Sequence, residues 1–445
     1  MKSVFTLCVI AALAGCTVLG PDYQAPDIDV SDGFVGGAST ELLSAANSEW
    51  WKGLNDPILN ELVAMGLVQN LDIKSALERI VAARINADRF GIQNQIGGSV
   101  TVGAEAEEFQ GVRNDGASID GSAFFVFDLF GEFERSREQS LASLEAAEFD
   151  KGTVSLAYQA DLVSSYIQLR FFQTAQIITR QTVNSLTEAV EIARERLTEG
   201  EATQMDTARA LTIAASGRAQ LPIFEAQERV NAFRIATLLS LPTSLVLDKI
   251  KSPGRIPTPN FSANTGLPAD LLRNRPDVRA AERRLAAATA AIGVSEAQLY
   301  PSLRLSGDVS AGAVESWGFG PTLVLPLLDR SNRKVTRDIA LSDARLAEIA
   351  YQQTFLTAVE EVQTQMALTE ARRRQVSAFV SASSSSETAL NLSRRSFEAG
   401  VVTLENVLDN DQTRLSTRLD LAMAQSEMAQ AWSRLQTSVG KGWAR

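Results

Sequence analysis

The chain has 445 residues, and 28 Gly, 13 Pro and 21% charged residues together exclude both fibrous and disordered classes. It contains no histidine and only two cysteines, Cys8 and Cys16, which removes imidazole-dependent catalytic triads, most zinc sites and a disulfide framework. A net charge of −11 gives no general attraction to nucleic acid or anionic lipid, so no nucleic-acid partner is expected.

Met1 and Lys2 precede an apolar run of 11 residues, Val4 to Ala14. That is about half of the roughly 20 residues a spanning helix requires, and it predicts a cleaved secretion signal over 1–15 rather than a membrane anchor. Leu13-Ala14-Gly15-Cys16 closes the run and resembles a bacterial lipobox, which implies cleavage before Cys16 and a covalent lipid on its sulfur. Cys8 leaves with the signal. In the lipoproteins this resembles, Asp after the cysteine favours the inner membrane, so Thr17 points to the outer one. Several acyl chains, at about 0.8 kcal/mol per buried methylene, hold such a chain at a bilayer surface.

Proline costs about 3 kcal/mol in a helix interior and glycine about 1, so their placement divides the rest. Residues 16–53 form a lipidated N-terminal segment. Residues 54–241 read as a first repeat: a helix around Asp72 to Gln93, a β-hairpin over 98–129, and a long helical hairpin from about Glu132, turning near Gly200 and returning through Thr203 to Leu241. A Pro-rich linker spans 242–268. Residues 269–440 repeat the plan, with a β-hairpin over 302–328 and a proline- and glycine-free run from Leu327 to Ala399 that turns at Gly400; 441–445 form a tail. In that run Leu346, Ile349, Leu356, Val359, Val362 and Met366 make the stripe of a helix packed lengthwise on neighbours.

The halves align. At an offset of 200, Arg194, Gly200 and Thr203 match Arg394, Gly400 and Thr403; at 205, Asp72, Ala76, Arg79, Ala82, Ala83 and Gln93 match Asp277, Ala281, Arg284, Ala287, Ala288 and Gln298. This is a tandem duplication.

In each hairpin the hydrophobic period falls from 3.6 to 2. Val100, Val102, Ala104 and Ala106 alternate with Thr101, Gly103, Glu105 and Glu107, and Ile119, Ala123, Phe125, Phe127 and Leu129 with Asp120, Ser122 and Asp128, although Phe124 falls on the polar side; Leu303 to Ala311 and Trp317 to Leu327 repeat the pattern. Polar loops at Gly111–Ala117 and Gly312–Glu315 would join the strands. Alternation alone fits a soluble, half-buried hairpin better than a membrane strand. Outer-membrane targeting shifts the balance, because a spanning sheet must close and four strands fall short of the eight-strand minimum. Chains would therefore pool strands. Glu105, Glu107, Asp120 and Asp308, on the polar faces, would make the lumen acidic.

The segments Arg275-Pro276-Asp277-Val278-Arg279-Ala280-Ala281-Glu282, Gln298-Leu299-Tyr300-Pro301-Ser302-Leu303, Cys16-Thr17 with Gly20-Pro21-Asp22-Tyr23, and the duplicated Arg-x-x-[Leu/Phe]-x-x-Gly turn resemble the TolC-type outer-membrane efflux proteins, closest to their lipoprotein branch. Phe127-Asp128-Leu129-Phe130-Gly131 resembles the family's strand-to-helix junction. The resemblance implies a mostly α chain whose long hairpins form a periplasmic α-barrel, and whose four strands enter a trimeric, twelve-stranded membrane β-barrel. It implies a homotrimer in the outer membrane of a Gram-negative bacterium. The partners would be a periplasmic adaptor (membrane fusion) protein and an inner-membrane transporter of the resistance-nodulation-division type, exporting small molecules such as drugs.

Such a conduit would be gated at its periplasmic tip. The motif places the inner turn at Thr403-Leu404-Glu405-Asn406-Val407-Leu408-Asp409, with Glu405 and Asp409 one helical turn apart, Asp411 sharing the role and Leu404 beside them. Glu405 departs from the family, where many relatives have an apolar residue. The turns around Gly200, Thr203, Gly400 and Thr403 would dock the adaptor. The competing reading is a periplasmic coiled-coil structural or adaptor lipoprotein without a pore. No enzyme activity, cofactor or metal is expected, and the Ser383–Ser386 run reads as a small, close-packed helix face.

Overall fold

A computed structural model describes residues 17–28, 33–34, 47–89, 95–109, 112–200, 203–260, 268–312 and 315–444, with backbone alone at 105, 107–109, 112–115, 268 and 273. The signal and Cys16 lie outside the described residues. Two compact units divide the chain: one from Met1–Asp29, Ala76–Lys151 and Asp277–Leu356, the other from Val30–Ser75, Gly152–Pro276 and Thr357–Arg445.

The elements run α1 (Pro57–Gln69), α2 (Leu71–Arg89), β1 (Ile96–Phe109), β2 (Val112–Phe127), α3 (Glu132–Thr198), α4 (Gln204–Leu239), α5 (Thr243–Ile250), α6 (Pro268–Asn274), α7 (Pro276–Ala297), β3 (Ser302–Ala311), β4 (Ser316–Val324), α8 (Arg330–Glu398) and α9 (Leu404–Ser438). α3 and α8, 67 and 69 residues long, stop just before Gly200 and Gly400, whose positive φ of 78° and 72° only glycine adopts without strain. α4 continues through Pro222.

The helix expected at the head of each repeat is two helices. The first pair breaks at Asn70, whose side-chain oxygen caps α2 by accepting from the amides of Asp72 and Ile73. The second breaks at Arg275, where Pro276 opens α7 in the N1 position that proline favours. The two break residues serve one purpose. Asn70 Nδ2 donates to the carbonyl of Leu238 at 2.9 Å, and Arg275 Nη1 to that of Ser438 at 3.0 Å, so each ties the head of its repeat to the end of the returning helix. Leu238 and Ser438 are 200 apart, as the turns are.

In the second unit the core gathers Trp50, Trp51, Leu59, Leu62, Tyr158, Leu162, Tyr166, Ile167, Ile235, Leu239 and Trp432. Gly66 faces the Tyr158 hydroxyl and Gly53 the Trp432 ring so closely that neither can carry a side chain. Arg170, fully buried, donates to Tyr166, to Gln173 at 2.7 Å and to the Ser252 carbonyl at 2.7 Å, which fastens the linker after α5 onto α3. The tail is held too, since Trp443 Nε1 donates to the Asn274 carbonyl at 2.7 Å.

In the first unit the strands form one antiparallel sheet in the order β1-β2-β3-β4, so the hairpins of the two repeats pair through β2 and β3. β1 and β2 are longer than expected, because Val112–Ala117 are strand rather than loop. β2 and β4 end at Phe127 and Val324, short of the expected 129 and 328. The segment after Cys16 is pinned here. Arg135, nearly fully buried, donates to the carbonyls of Leu19 and Gly20 and to Asp22 at 2.8 Å, while Gly20 meets Gly293 backbone to backbone.

Candidate pore-lining surface and gate

The register sorts the sheet into two faces. Val100 opposes Gly121, Gly121 opposes Val309 and Val309 opposes Trp317; one row further, Ala123, Gly307 and Phe319 align, and beyond them Phe125 with Leu305 and Phe127 with Leu303. These side chains form one continuous apolar face. Much of it is bare: Val100 is 75% exposed, Trp317 82% and Phe319 72%. A face of this size is unusual on a soluble monomer and marks contact with lipid or another chain. The opposite face carries Ser99, Thr101, Asp120, Ser122, Ser306, Asp308 and Ser310. Glu105 and Glu107 occupy register positions on this polar face, but their side chains lie outside the described residues. Asp120 accepts from Ser118 at 2.9 Å and Ser310 at 2.6 Å. Phe124 belongs to the polar face, as its alternation indicated, and lies under the guanidinium of Arg304.

In the second unit, α3, α4, α8 and α9 meet near the two turns around a small core of Leu186, Val190, Ala210, Leu390, Phe397, Leu404, Val407 and Leu408. Thr203 donates its amide to Asp206 at 2.8 Å and receives the Asp206 amide on its hydroxyl, closing a capping box; the Thr203 amide, together with its hydroxyl, holds the Asp206 carboxyl below its ordinary range. At the second turn the Thr403 amide and hydroxyl both donate to the Asn406 side-chain oxygen, at 3.2 and 2.9 Å.

Glu405 and Asp409 lie on one face of α9, about half exposed, and both are engaged by Arg209 of α4, which reaches Asp409 at 3.1 Å. Asp411 does not join them. Two residues further on is about 200° around the helix, so its side chain turns the opposite way and is 2% exposed. There it accepts from Ser185 of α3 at 2.6 Å and from Arg414 at 2.8 Å, and pairs with Arg394 of α8 at 3.3 Å. Leu404 is likewise buried in the tip core. The expectation that Asp411 and Leu404 line a gate beside Glu405 and Asp409 is therefore corrected: Leu404, Leu408, Asp411 and Leu415 follow the inward stripe of α9.

The stripe read on α8 is also corrected in part. Leu346, Ile349 and Leu356 are each about three-fifths exposed, while Tyr351, Phe355, Ala358 and Val362 are buried. α8 thus carries an outward apolar row with no partner in the described chain. Of the serine run, only Ser386 is buried, its hydroxyl 2.8 Å from that of Thr417.

Sequence reasoning missed Arg209. The signal was present, because Arg209 and Asp409 occupy equivalent positions at the offset of 200, so the duplicated turn had diverged into opposite charges. Among the described residues no group of three or more His, Cys, Asp or Glu side chains could hold a metal, and no single helix is long and apolar enough to cross a membrane.

The outer membrane efflux protein family matches residues 62–240 and 267–441. Nodulation protein T of Rhizobium leguminosarum bv. viciae is 34% identical over 458 residues, covering 98% of this chain and 93% of that protein. Outer membrane protein OprJ of Pseudomonas aeruginosa is 28% identical over 455 residues, covering 98% and 95%. Among solved structures, the outer-membrane channel OprN superposes with a TM-score of 0.87 at 30% identity, over 96% of this chain and all of that one.

Proposed function

This chain belongs to the outer membrane efflux protein family, and from that premise we propose how its residues build and close the channel. The protein is an outer-membrane efflux channel of a Gram-negative bacterium, with the TolC-like fold, and the pore-less adaptor alternative finds no support. The observation that carries the mechanism is the four-stranded sheet, apolar on one face and polar on the other, with β1 and β4 at its two edges. In lipid an unpaired edge costs several kcal/mol per backbone group, so the edges must be met by other copies. Three copies would supply twelve strands, and the outward row Leu346, Ile349 and Leu356 on α8 gives the copies an apolar seam. Closure with the polar face inward puts Asp120 and Asp308 in the lumen, with the Glu105 and Glu107 positions beyond them.

The tip is the gate. Glu405 and Asp409 would repeat three times around the axis, each pair tethered by Arg209. Two exposed pairs per chain, at about 0.2–1 kcal/mol each, sum to about 1–6 kcal/mol over a trimer, an amount a docking partner can supply. Behind them Asp411, bound by Ser185, Arg394 and Arg414, keeps α3, α8 and α9 together while the tether opens. The turns at Gly200, Thr203, Gly400 and Thr403, beside the exposed Met205 and Val401, are the docking surface for a periplasmic adaptor bound to an inner-membrane transporter of the resistance-nodulation-division type. Small molecules such as drugs would pass through, and the acyl chains on Cys16 would anchor the assembly to outer-membrane lipid. The first test is the mass and heat resistance of the detergent-extracted protein. A stable species of three copies that inserts conducting pores into bilayers is expected; a monomer without conductance would overturn the arrangement.

A further inference from the structure

The polar face of the sheet is not uniformly acidic. Arg304, two residues into β3, stacks its guanidinium 3.5 Å from the centroid of the Phe124 ring, close enough for a cation–π contact. The ring is itself fixed: it lies across Gly97, where an added Cβ would fall 2.3 Å from the ring edge. Gly97, Phe124 and Arg304 thus form a three-layer stack built from three strands. Among the described residues no carboxylate pairs with Arg304. The nearest acid on its own strand, Asp308, stands four residues along, roughly 13 Å away at strand rise. Asp120, the other described acid of this face, is occupied by the hydroxyls of Ser118 and Ser310.

We propose that Arg304 is a specificity-determining residue of the conduit: stacked on Phe124, it sets a cationic belt at the α7 end of the sheet's polar face that coordinates anionic groups of passing solutes. Guanidinium carries a permanent charge and a planar fork of donors, the geometry that fits carboxylate, sulfonate or phosphate in two-point contact. The aromatic ring takes one face of the cation and leaves the N–H edge free, and holding the side chain flat keeps the passage open. The belt precedes the acidic rows at Asp308 and Asp120, so an anionic solute is held at the belt before it meets the acidic barrier beyond. This inference rests on the reading of the polar face as the lumen.

The test uses single cysteines in the acylated protein, reconstituted in liposomes, and needs no open gate. Ser306→Cys lies on the polar face beside Arg304, and Leu305→Cys on the apolar face. Each is reacted with a sulfonate-bearing and a trimethylammonium-bearing methanethiosulfonate, with the unsubstituted protein as background. Ser306→Cys is expected to favour the sulfonate reagent. Adding Arg304→Gln should shift the ratio of rates about five-fold towards the cation, since one unit charge some 7 Å away acts oppositely on the two reagents. Arg304→Lys, which keeps the charge, should hold most of the preference. A ratio indifferent to Arg304→Gln, with Ser306→Cys reactive and Leu305→Cys protected, overturns the belt alone. Equal reactivity of Leu305→Cys and Ser306→Cys overturns the lumen assignment and the belt with it.

Discussion

At the first turn Gly200 takes φ +78° and Thr203 caps α4 through Asp206; at the second Gly400 takes +72° and Thr403 caps α9 through Asn406. The backbone is one design used twice. What separates the turns lies one to two helical turns downstream, where Arg209 in the first copy stands opposite Asp409 in the second, and Met205 opposite Glu405. A duplicated unit that kept identical charges would repel its twin where the helices meet. Divergence to opposite signs produced a tether instead, on a scaffold whose folding did not have to change. The comparison also separates two roles for carboxylates on α9: Glu405 and Asp409 face water and can release, whereas Asp411 is buried and holds.

The largest effect that would sharpen this distinction is expected from Asp411→Ala. It leaves Arg394 and Arg414 without their shared acid; because Arg394 is partly exposed and Glu387 can still reach Arg414, the loss should be about 2–3 kcal/mol per chain. Thermal dissociation of the assembly reads it, and a change below about 0.5 kcal/mol would break the account of Asp411 as the holding acid. Arg209→Ala should cost at most about 1–2 kcal/mol, because both pairs are exposed, yet raise the open fraction of the pore. Conductance should therefore respond to Arg209 and stability to Asp411. The reverse pattern would exchange their roles.

Gly200→Ala and Gly400→Ala should each cost about 1–2 kcal/mol through the left-handed backbone alone. They should be alike, since nothing lies within 4 Å of an added Cβ at either site. Unequal losses in thermal unfolding would mean that the two turns differ in more than charge. The smallest effect is a pH response confined to the first turn. Asp206 has its carboxyl lowered from 3.8 by the Thr203 amide, so its cap is intact above that value and is lost as pH falls through the lower folded one. Asn406 does not titrate. Below pH 3.8 the hydrogen-exchange protection of the Thr203 amide, relative to its intrinsic rate, should fall while that of the Thr403 amide does not, and Asp206→Asn should abolish the difference.

Much of this was legible in the sequence because glycine and proline punctuate long helices and because a duplication repeats its marks. Gly200 and Gly400, the capping threonines and the alternating strands are local signals. Asp411 was misread because a charge is expected at the surface, and only the pattern Leu404, Leu408, Asp411, Leu415 betrays an inward position filled by an ion network. Leu346, Ile349 and Leu356 were recognised as an apolar row, but periodicity does not say whether the partner lies in the same chain. The breaks at Asn70 and Arg275 carry local marks, a capping asparagine and a following proline, but the ties from those residues to Leu238 and Ser438 span some 165 residues, which no local window contains.

The measurement that tests the central claim most directly is single-channel conductance of the acylated, detergent-extracted protein in planar bilayers, wild type against Glu405→Ala combined with Asp409→Ala. A low-conductance wild type and a several-fold rise in the double variant would place the gate on the tether to Arg209. Identical conductance in the two proteins, or none from either in a correctly targeted preparation, would contradict it.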